Sequence, residues 1–324
     1  MAQPNRPESV NRLDQRVPLD RDNASPGRRW FVGVDGGGSG CRAKIADTDG
    51  NILGEGRASP AALRLGIDRS LAAVESACEL AAADAGLPLG ALRQMDAVVG
   101  LAGLGRKGLL EALIARPYPF RSVRYVNDAT IACLGTYRGC DGGVVIVGTG
   151  SVGLAIIDGR EIRVGGYGFP IGDEGSGAAL GLAALRIALR AYDGRTPKTR
   201  LASELLDGFH NDPFEVIAWM DEATATDYAT FAPLVLDLAE QGDAAAEQIV
   251  RLAAQAIDEI AFRLIACGTP RLALLGGLAP RMQPFLAPDV RAQLMPSMGD
   301  ATDGALLLAR GVLPDRAAMV SAPG

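Results

Sequence analysis

Short apolar segments separated by glycine-rich or Asp-Gly turns open the ordered part of the chain. Residues 30–35 (WFVGVD) are apolar up to the final Asp35, residues 41–47 alternate apolar and polar positions, and residues 51–57 follow an Asp49-Gly50 turn. Alternation with a period of two indicates strands, and an Asp-Gly dipeptide between such segments is a strong hairpin signal. The pattern predicts an antiparallel β-meander at the start of the fold.

Helical and strand patterns then alternate along the chain. Helices are predicted over residues 68–86 and 106–115, and strands over 96–101 and 122–126. The last of these strands leads into Asn127-Asp128 at the predicted start of another helix. Such alternation indicates an α/β domain.

A second hairpin repeats the strand, glycine turn, strand order of the first. Residues 143–147 and 152–157 are predicted strands on either side of Gly148-Thr149-Gly150-Ser151. The repetition predicts two halves of one architecture. The remaining predictions are a loop over 164–177, helices over 178–192, 201–208, 213–222, 230–241 and 244–267, a strand over 271–275 before Gly276-Gly277, and a last helix over 302–311.

The length of 324 residues fits two domains. We expect an N-terminal domain over 30–140, with the last helix packed back on it, and a C-terminal domain over 141–301 with helical insertions. Residues 1–29 carry four prolines and ten charges without the hydrophobic segment of a signal peptide. This composition predicts a disordered tail.

Composition narrows the classes of function. The net charge of −6 supplies no basic field for nucleic acid or an anionic membrane, and no apolar stretch reaches the 18 residues of a membrane span. Five scattered cysteines, without a CxxC pair, and one histidine argue against a zinc site or a disulfide framework. We expect reduced thiols in a cytoplasmic enzyme whose carboxylates carry out acid–base chemistry.

The two glycine turns are candidates for phosphate binding, because successive backbone N–H groups without side chains form a concave anion site. Asp35 ends the strand before the first turn, where a carboxylate suits a Mg2+ ion held beside phosphates. Thr149 and Ser151 add hydroxyls to the second turn. The alternative is that the glycines only close tight hairpins. The sequence contains no GxGxxG opening a helix and no GxxxxGK[ST].

Five motifs in order resemble the BadF/BadG/BcrA/BcrD ATPase-type branch of the sugar kinase, Hsp70 and actin superfamily, and within it bacterial glucosamine kinases and N-acetylglucosamine kinases. The resemblance covers about residues 31–310. The motifs are VGVDGGGSGCRAKIA at 32–46, Asn127-Asp128-Ala129, Gly148-Thr149-Gly150-Ser151, GGYGFPIGDEGSG at 165–177 and Gly276-Gly277.

This resemblance implies an α/β fold of two ribonuclease-H-like (actin-like ATPase) domains with ATP and Mg2+ in a cleft between them. Asp35 is implied to be the magnesium-associated carboxylate. The implied ATP-binding residues are Gly37, Gly38, Ser39, Arg42, Gly148, Thr149, Gly150, Ser151, Gly276 and Gly277.

The resemblance also places the catalytic base at Asp128 and sugar contacts at Asp128, Gly166 and Asp173, with Glu174 as the alternative carboxylate. The residues alone allow other roles. Asp128 stands at a helix entry and could be an N-cap, and Asp173 could equally be a cap or a turn residue.

One position departs from the family pattern. Ala62 stands where relatives commonly have an asparagine that meets the sugar ring. Loss of an amide that both donates and accepts costs on the order of 1–3 kcal/mol if a buried partner stays unpaired. Either another residue substitutes or the preferred sugar differs. Arg64 is a nearby candidate, and a solvent-exposed loop arginine is the alternative.

The expected function is ATP-dependent phosphorylation of glucosamine at its 6-hydroxyl. N-acetylglucosamine is the first alternative substrate. An ATPase that drives a redox partner is a second alternative, although it needs about four thiolates for a cluster and only Cys133 and Cys140 are close in sequence. A non-catalytic sugar sensor is a third. A homodimer is the family-level expectation.

Overall fold

The computed structural model describes residues 11–12 and 29–312. The predicted disordered tail lies outside the described residues except for Asn11, Arg12 and Arg29. The described residues divide into two compact units: unit 1 comprises 11–12, 29–142, 154–162 and 296–312, and unit 2 comprises 143–153 and 163–295.

Unit 1 contains three segments that the sequence assigned to the second domain, residues 141–142, 154–162 and 296–301. Backbone and side-chain hydrogen bonds explain the difference. Glu161 accepts from Thr130 Oγ1 at 2.8 Å. Met298 donates its backbone N–H to the carbonyl of Thr136 at 3.0 Å.

Within the described ranges, ten strands and twelve α-helices are numbered in chain order. The strands are β1 (Asn11–Arg12), β2 (Trp30–Gly36), β3 (Cys41–Ala46), β4 (Ile52–Ala58), β5 (Met95–Leu101), β6 (Ser122–Asn127), β7 (Gly142–Val147), β8 (Ser151–Ile157), β9 (Arg160–Gly165) and β10 (Leu272–Leu275). The helices are α1 (Ile67–Asp84), α2 (Leu109–Ile114), α3 (Asp128–Thr136), α4 (Gly177–Tyr192), α5 (Arg200–Asp207), α6 (Pro213–Glu222), α7 (Ala225–Ala229), α8 (Ala232–Glu240), α9 (Ala244–Ala266), α10 (Ala279–Met282), α11 (Pro288–Arg291) and α12 (Ala301–Arg310).

The first sheet has the strand order β4-β3-β2-β5-β6. Strands β2, β3 and β4 form the predicted antiparallel meander, while β5 and β6 run parallel to β2. In this register Asp35 lies opposite Gly100, and Leu101 lies opposite Asn127. The carboxyl ends of three parallel strands therefore meet at one edge of the sheet.

Helix α3, which begins at that edge, packs tightly on α12. A Cβ built on Gly304 of α12 would lie 2.0 Å from the carbonyl oxygen of Ile131 in α3, so only glycine allows this approach of the two backbones. Lys44 of β3 holds the start of α12 through Asp303 at 2.6 Å and Asp300 at 3.1 Å. These contacts fix the position of α3 within unit 1.

The second sheet has the order β1-β9-β8-β7-β10, with β10 parallel to β7. The sequence pattern does not predict β9 or the short helices α7, α10 and α11. The mixed α/β fold with two sheets is as predicted. None of the helices in the described ranges combines the length and apolar character needed to cross a membrane.

Candidate active site

The first glycine turn joins β2 to β3 in unit 1. The N–H of Gly37 donates to the carbonyl of Gly40 at 3.0 Å, which closes the turn and leaves Gly38 and Ser39 exposed at its tip. The carbonyl of Gly37 accepts from the N–H of Ala61 at 3.1 Å. The turn is thereby fixed from behind by the segment that carries Ala62.

Asp35, at the end of β2, pairs with Arg42 across the hairpin. The guanidinium Nη2 of Arg42 donates to Asp35 Oδ2 at 2.7 Å, and Arg42 Nη1 lies 3.9 Å from Asp300 Oδ2. Burial opposes the charge of Arg42, but the hydrogen bond and charge of Asp35 outweigh it and raise the pKa of Arg42. Arg42 is therefore a permanent cation beside the glycine turn.

The surroundings of Asp35 restrict the kind of metal site that unit 1 can offer. Among the residues that the structure describes, no group of three or more His, Cys, Asp or Glu side chains could hold a metal ion. The half-buried carboxylate of Asp35 fits Mg2+ as a lone protein ligand that works alongside water and phosphate oxygens, the pattern that this cation favours. Mg2+ bound there would neutralise phosphate charge.

Asp128 is the first residue of α3, and the structure excludes its role as the N-cap. Asn127 takes that role, because its side chain accepts from the N–H of Ala129 at 3.0 Å. Asp128 is half-buried, and its Cα lies 3.5 Å from a Cβ built on Gly100. Since Gly100 is also the register partner of Asp35, the two carboxylates lie at the same edge of the sheet, two strands apart.

Ala62 is buried in unit 1, with 2% of its surface exposed. Its carbonyl accepts from Ser70 Oγ at 3.0 Å. The side chain of Ala62 therefore offers no accessible surface to a sugar. Arg64, two residues further along the chain, is exposed.

The second glycine turn rests on the start of α4 in unit 2. The N–H groups of Gly177 and Ala178 donate to the carbonyls of Gly148 at 2.8 Å and Thr149 at 3.2 Å. Ser151 is 3% exposed, and its hydroxyl donates to the carbonyl of Glu174 at 2.6 Å. That hydroxyl is bonded inside the protein, whereas the sequence pattern predicts that it faces phosphate.

Asp173 connects this turn to the loop that follows β9. Its carboxylate accepts hydrogen bonds from the backbone of Gly168, Ser151 and Phe169. Burial, the largest effect, raises the pKa of Asp173 against these hydrogen bonds, and the charge of Glu174 adds to the rise. The cap of α4 is Ser176, so Asp173 is not a cap, while Glu174 is exposed.

Arg163 is a residue of this region that no sequence motif indicates. Its guanidinium donates to the carbonyl of Gly165 at 3.1 Å and also to that of Gly166. Gly166 has a left-handed φ of 69°, and a Cβ there would lie 2.6 Å from Val152 Cγ2. The only signal in the sequence is an arginine two residues before a Gly-Gly pair, and such a short pattern does not by itself indicate a site.

The third glycine segment lies beside the second turn within unit 2. Gly276 follows β10 with a φ of 99°, and a Cβ there would lie 2.3 Å from the carbonyl oxygen of Val147. A Cβ on Gly277 or on Gly148 would have no atom within 4 Å. The carboxyl ends of β7 and β10 therefore present two open glycine surfaces at one edge.

Comparison with known proteins decides the family. The model of the BadF/BadG/BcrA/BcrD ATPase family matches residues 32–309. The chain belongs to the BadF/BadG/BcrA/BcrD ATPase family. It is similar to "Glucosamine kinase GspK" of Vibrio cholerae, with 35% identity over 280 residues that cover 86% of this chain and 95% of the relative.

Two further relatives of this chain are informative, one about the candidate substrate and one about the fold. An "N-acetylmuramic acid/N-acetylglucosamine kinase" of Clostridium acetobutylicum is 31% identical over 70% of this chain and 76% of its own length. A crystal structure of a proposed N-acetylglucosamine kinase from Chromobacterium violaceum has a TM-score of 0.81 at 35% identity, covering 87% of this chain and 99% of the other. The ATPase-family fold thus extends over nearly all of the described residues.

Proposed function

We propose that the protein is an ATP-dependent amino-sugar kinase that converts glucosamine to glucosamine 6-phosphate. The observation that carries the proposal is the 35% identity to a glucosamine kinase over 86% of this chain and 95% of the relative. The position of Asp128 at a strand end, with the capping role taken by Asn127, supports it independently.

The proposed reaction is an in-line phosphoryl transfer. The oxygen of the sugar 6-hydroxyl bonds to the γ-phosphorus of ATP, the bond from that phosphorus to the β–γ bridging oxygen breaks, and ADP leaves. Asp128 accepts the hydroxyl proton as general base, a role that contributes roughly 10²–10⁴-fold to rate. The remaining acceleration comes from positioning and from neutralisation of phosphate charge.

We assign the binding of the ATP phosphates to the glycine segments. We assign the neutralisation of phosphate charge to residues of unit 1. Gly37, Gly38 and Ser39 form an exposed backbone turn next to a permanent cation, Arg42, and a carboxylate suited to Mg2+, Asp35. In unit 2, Gly148 and Gly277 have open space where a side chain would stand. Open backbone without side chains, next to a compensating positive charge, is what a polyphosphate-binding site needs.

The choice of glucosamine over N-acetylglucosamine rests on charge. The amine of glucosamine is cationic near neutral pH and favours a nearby carboxylate, whereas an acetamide is neutral. Asp173 is held by three backbone groups, while Glu174 beside it is exposed. We assign Glu174 to the amine. N-acetylglucosamine stays the second candidate because two of the relatives described above are N-acetylglucosamine kinases or proposed ones.

The test is a comparison of the two sugars as substrates near neutral pH. Purified protein is incubated with MgATP and either sugar, and the product is identified by phosphorus–proton correlation in NMR. The proposal expects phosphate on the oxygen of C6 and a higher kcat/KM for glucosamine. A higher kcat/KM for N-acetylglucosamine transfers the assignment to that sugar, and no turnover of either one overturns it.

The environment of Cys133, a candidate cluster ligand, argues against the redox-ATPase alternative. Cluster ligation needs a thiolate. Burial raises the pKa of Cys133 to about 12, and its Sγ donates to the carbonyl of Gly142 at 3.3 Å. Cys133 is thus a neutral, internally bonded thiol. An iron assay of the purified protein tests this alternative directly.

A further inference from the structure

A second arginine, Arg64, stands at the first glycine turn. One guanidinium nitrogen, Nη2, lies 3.5 Å from a Cβ built on Gly38, the residue at the exposed tip of the turn. Arg64 belongs to a short 3-10 turn, Leu63–Leu65, and is itself exposed. A cationic side chain thus lies against a part of the backbone that is otherwise open to solvent.

The segment that carries Arg64 is anchored on both sides of the glycine turn. Ala61 donates to the carbonyl of Gly37 at 3.1 Å, and Leu63 donates to the carbonyl of Ala102 at 3.0 Å. Ser70 Oγ holds the carbonyl of Ala62 at 3.0 Å. The position of the Arg64 backbone relative to Gly38 is therefore built into the fold of unit 1.

Two arginines lie at this turn. Arg42 is hydrogen bonded to Asp35 at 2.7 Å, and its Nη1 lies 3.9 Å from Asp300 Oδ2. Arg64 lies over Gly38, at the turn that the proposed function assigns to phosphate. A guanidinium is the side chain best suited to contact phosphate oxygens with paired N–H groups.

We propose that Arg64 binds a phosphate group of the nucleotide, rather than standing in for the missing amide toward the sugar at Ala62. This inference rests on the proposed nucleotide role of the first turn. The guanidinium supplies one charged contact from the side of Gly38, and the exposed backbone of the turn supplies N–H groups.

The test measures nucleotide affinity by calorimetry without any sugar present, using ATP, ADP and adenosine against wild type, Arg64→Gln and Arg64→Lys. A charge-assisted contact predicts about 10- to 100-fold weaker ATP binding in Arg64→Gln, with unchanged adenosine binding and partial recovery in Arg64→Lys. Arg69→Gln, which removes another exposed positive charge, from α1, is the matched control and should leave all affinities unchanged.

The outcomes separate this inference from the proposed function. Unchanged ATP affinity in Arg64→Gln, with a raised KM for the sugar alone, overturns the phosphate role. An equal loss in Arg69→Gln also overturns it, because the effect would then be a general one of charge. Failure of the wild-type protein to bind ATP at all would instead defeat the proposed function. Because Arg64 is exposed, the unfolding temperature of its variants should match that of wild type.

Discussion

The carboxylate of Asp173 lies so close to Gly150 that a Cβ on Gly150 would stand 2.8 Å from Asp173 Oδ2. This contact holds the second glycine turn against the loop that follows β9. The carboxylate of Asp173 also accepts backbone hydrogen bonds from that loop. Gly150→Ala must displace the carboxylate, and we expect the free energy of unfolding to fall by about 1–3 kcal/mol, as for other overpacked sites. Chemical denaturation measures the loss.

Gly148→Ala is the control for this prediction. The added methyl meets no atom within 4 Å, so the stability of the protein should be unchanged. If that open space holds phosphate, Gly148→Ala should instead weaken ATP binding. Equal losses of stability in Gly150→Ala and Gly148→Ala would contradict the prediction, because the contact with Asp173 exists only at Gly150.

The Asp35–Arg42 pair predicts a competition between the arginine and Mg2+ for one carboxylate. Arg42→Gln removes the competitor, so half-saturation should occur at about two- to fivefold lower Mg2+ concentration, in line with the modest strength of a partly exposed ion pair. The measurement is the rise of unfolding temperature with MgCl2 at a fixed concentration of ADP, because phosphate oxygens complete the proposed magnesium site. Arg57→Gln changes the cross-strand neighbour of Arg42 and serves as control. A weaker response of Arg42→Gln to Mg2+ would contradict the competition.

Glu161 gives a prediction for stability against pH. Burial, the largest effect, raises its pKa above the ordinary 4.5, although Thr130 and the charge of Arg124 oppose the rise. A raised carboxyl pKa in the fold stabilises the folded state below the unfolded pKa, and this stability is lost as the pH rises through the folded pKa.

Above the folded pKa the buried carboxylate of Glu161 therefore costs stability, and Glu161→Gln should be more stable than wild type at pH 7. The glutamine oxygen can still accept from Thr130 Oγ1. Chemical denaturation of both proteins at pH 7 and at pH 4 tests this prediction. The stability gained by Glu161→Gln over wild type should be smaller at pH 4. An advantage that is largest at pH 4 would refute it. Glu75→Gln, on exposed surface, should show no such trend.

Much of the fold follows from the sequence because its elements carry strong local patterns. The meander β2-β3-β4 has alternating residues and an Asp-Gly turn, and α9 has a long apolar stripe. Strand β9 (REIRVG) was missed because it is charged, half-exposed and short. Helix α7 has only five residues, too few to show a helical period.

The site was less predictable than the fold. The sequence shows which residue types are present, but it does not show which groups their side chains contact. The pattern Asn127-Asp128 at a helix entry allows either residue to be the cap, and only the geometry assigns it to Asn127. The hydroxyl of Ser151 was expected at a phosphate, but strand alternation points it inward to Glu174. The burial of Ala62 likewise depends on contacts with residues distant in sequence, which a local pattern does not contain.

The central claim is that Asp128 is the base of an ATP-dependent transfer to an amino sugar. The most direct measurement is ADP release with and without glucosamine, for wild type, Asp128→Asn and the exposed control Asp68→Asn. We predict sugar-dependent ADP release by wild type and by Asp68→Asn, and a loss of about 10²-fold or more in Asp128→Asn with unchanged ATP affinity. ADP release that does not depend on sugar, or full turnover by Asp128→Asn, would contradict the account.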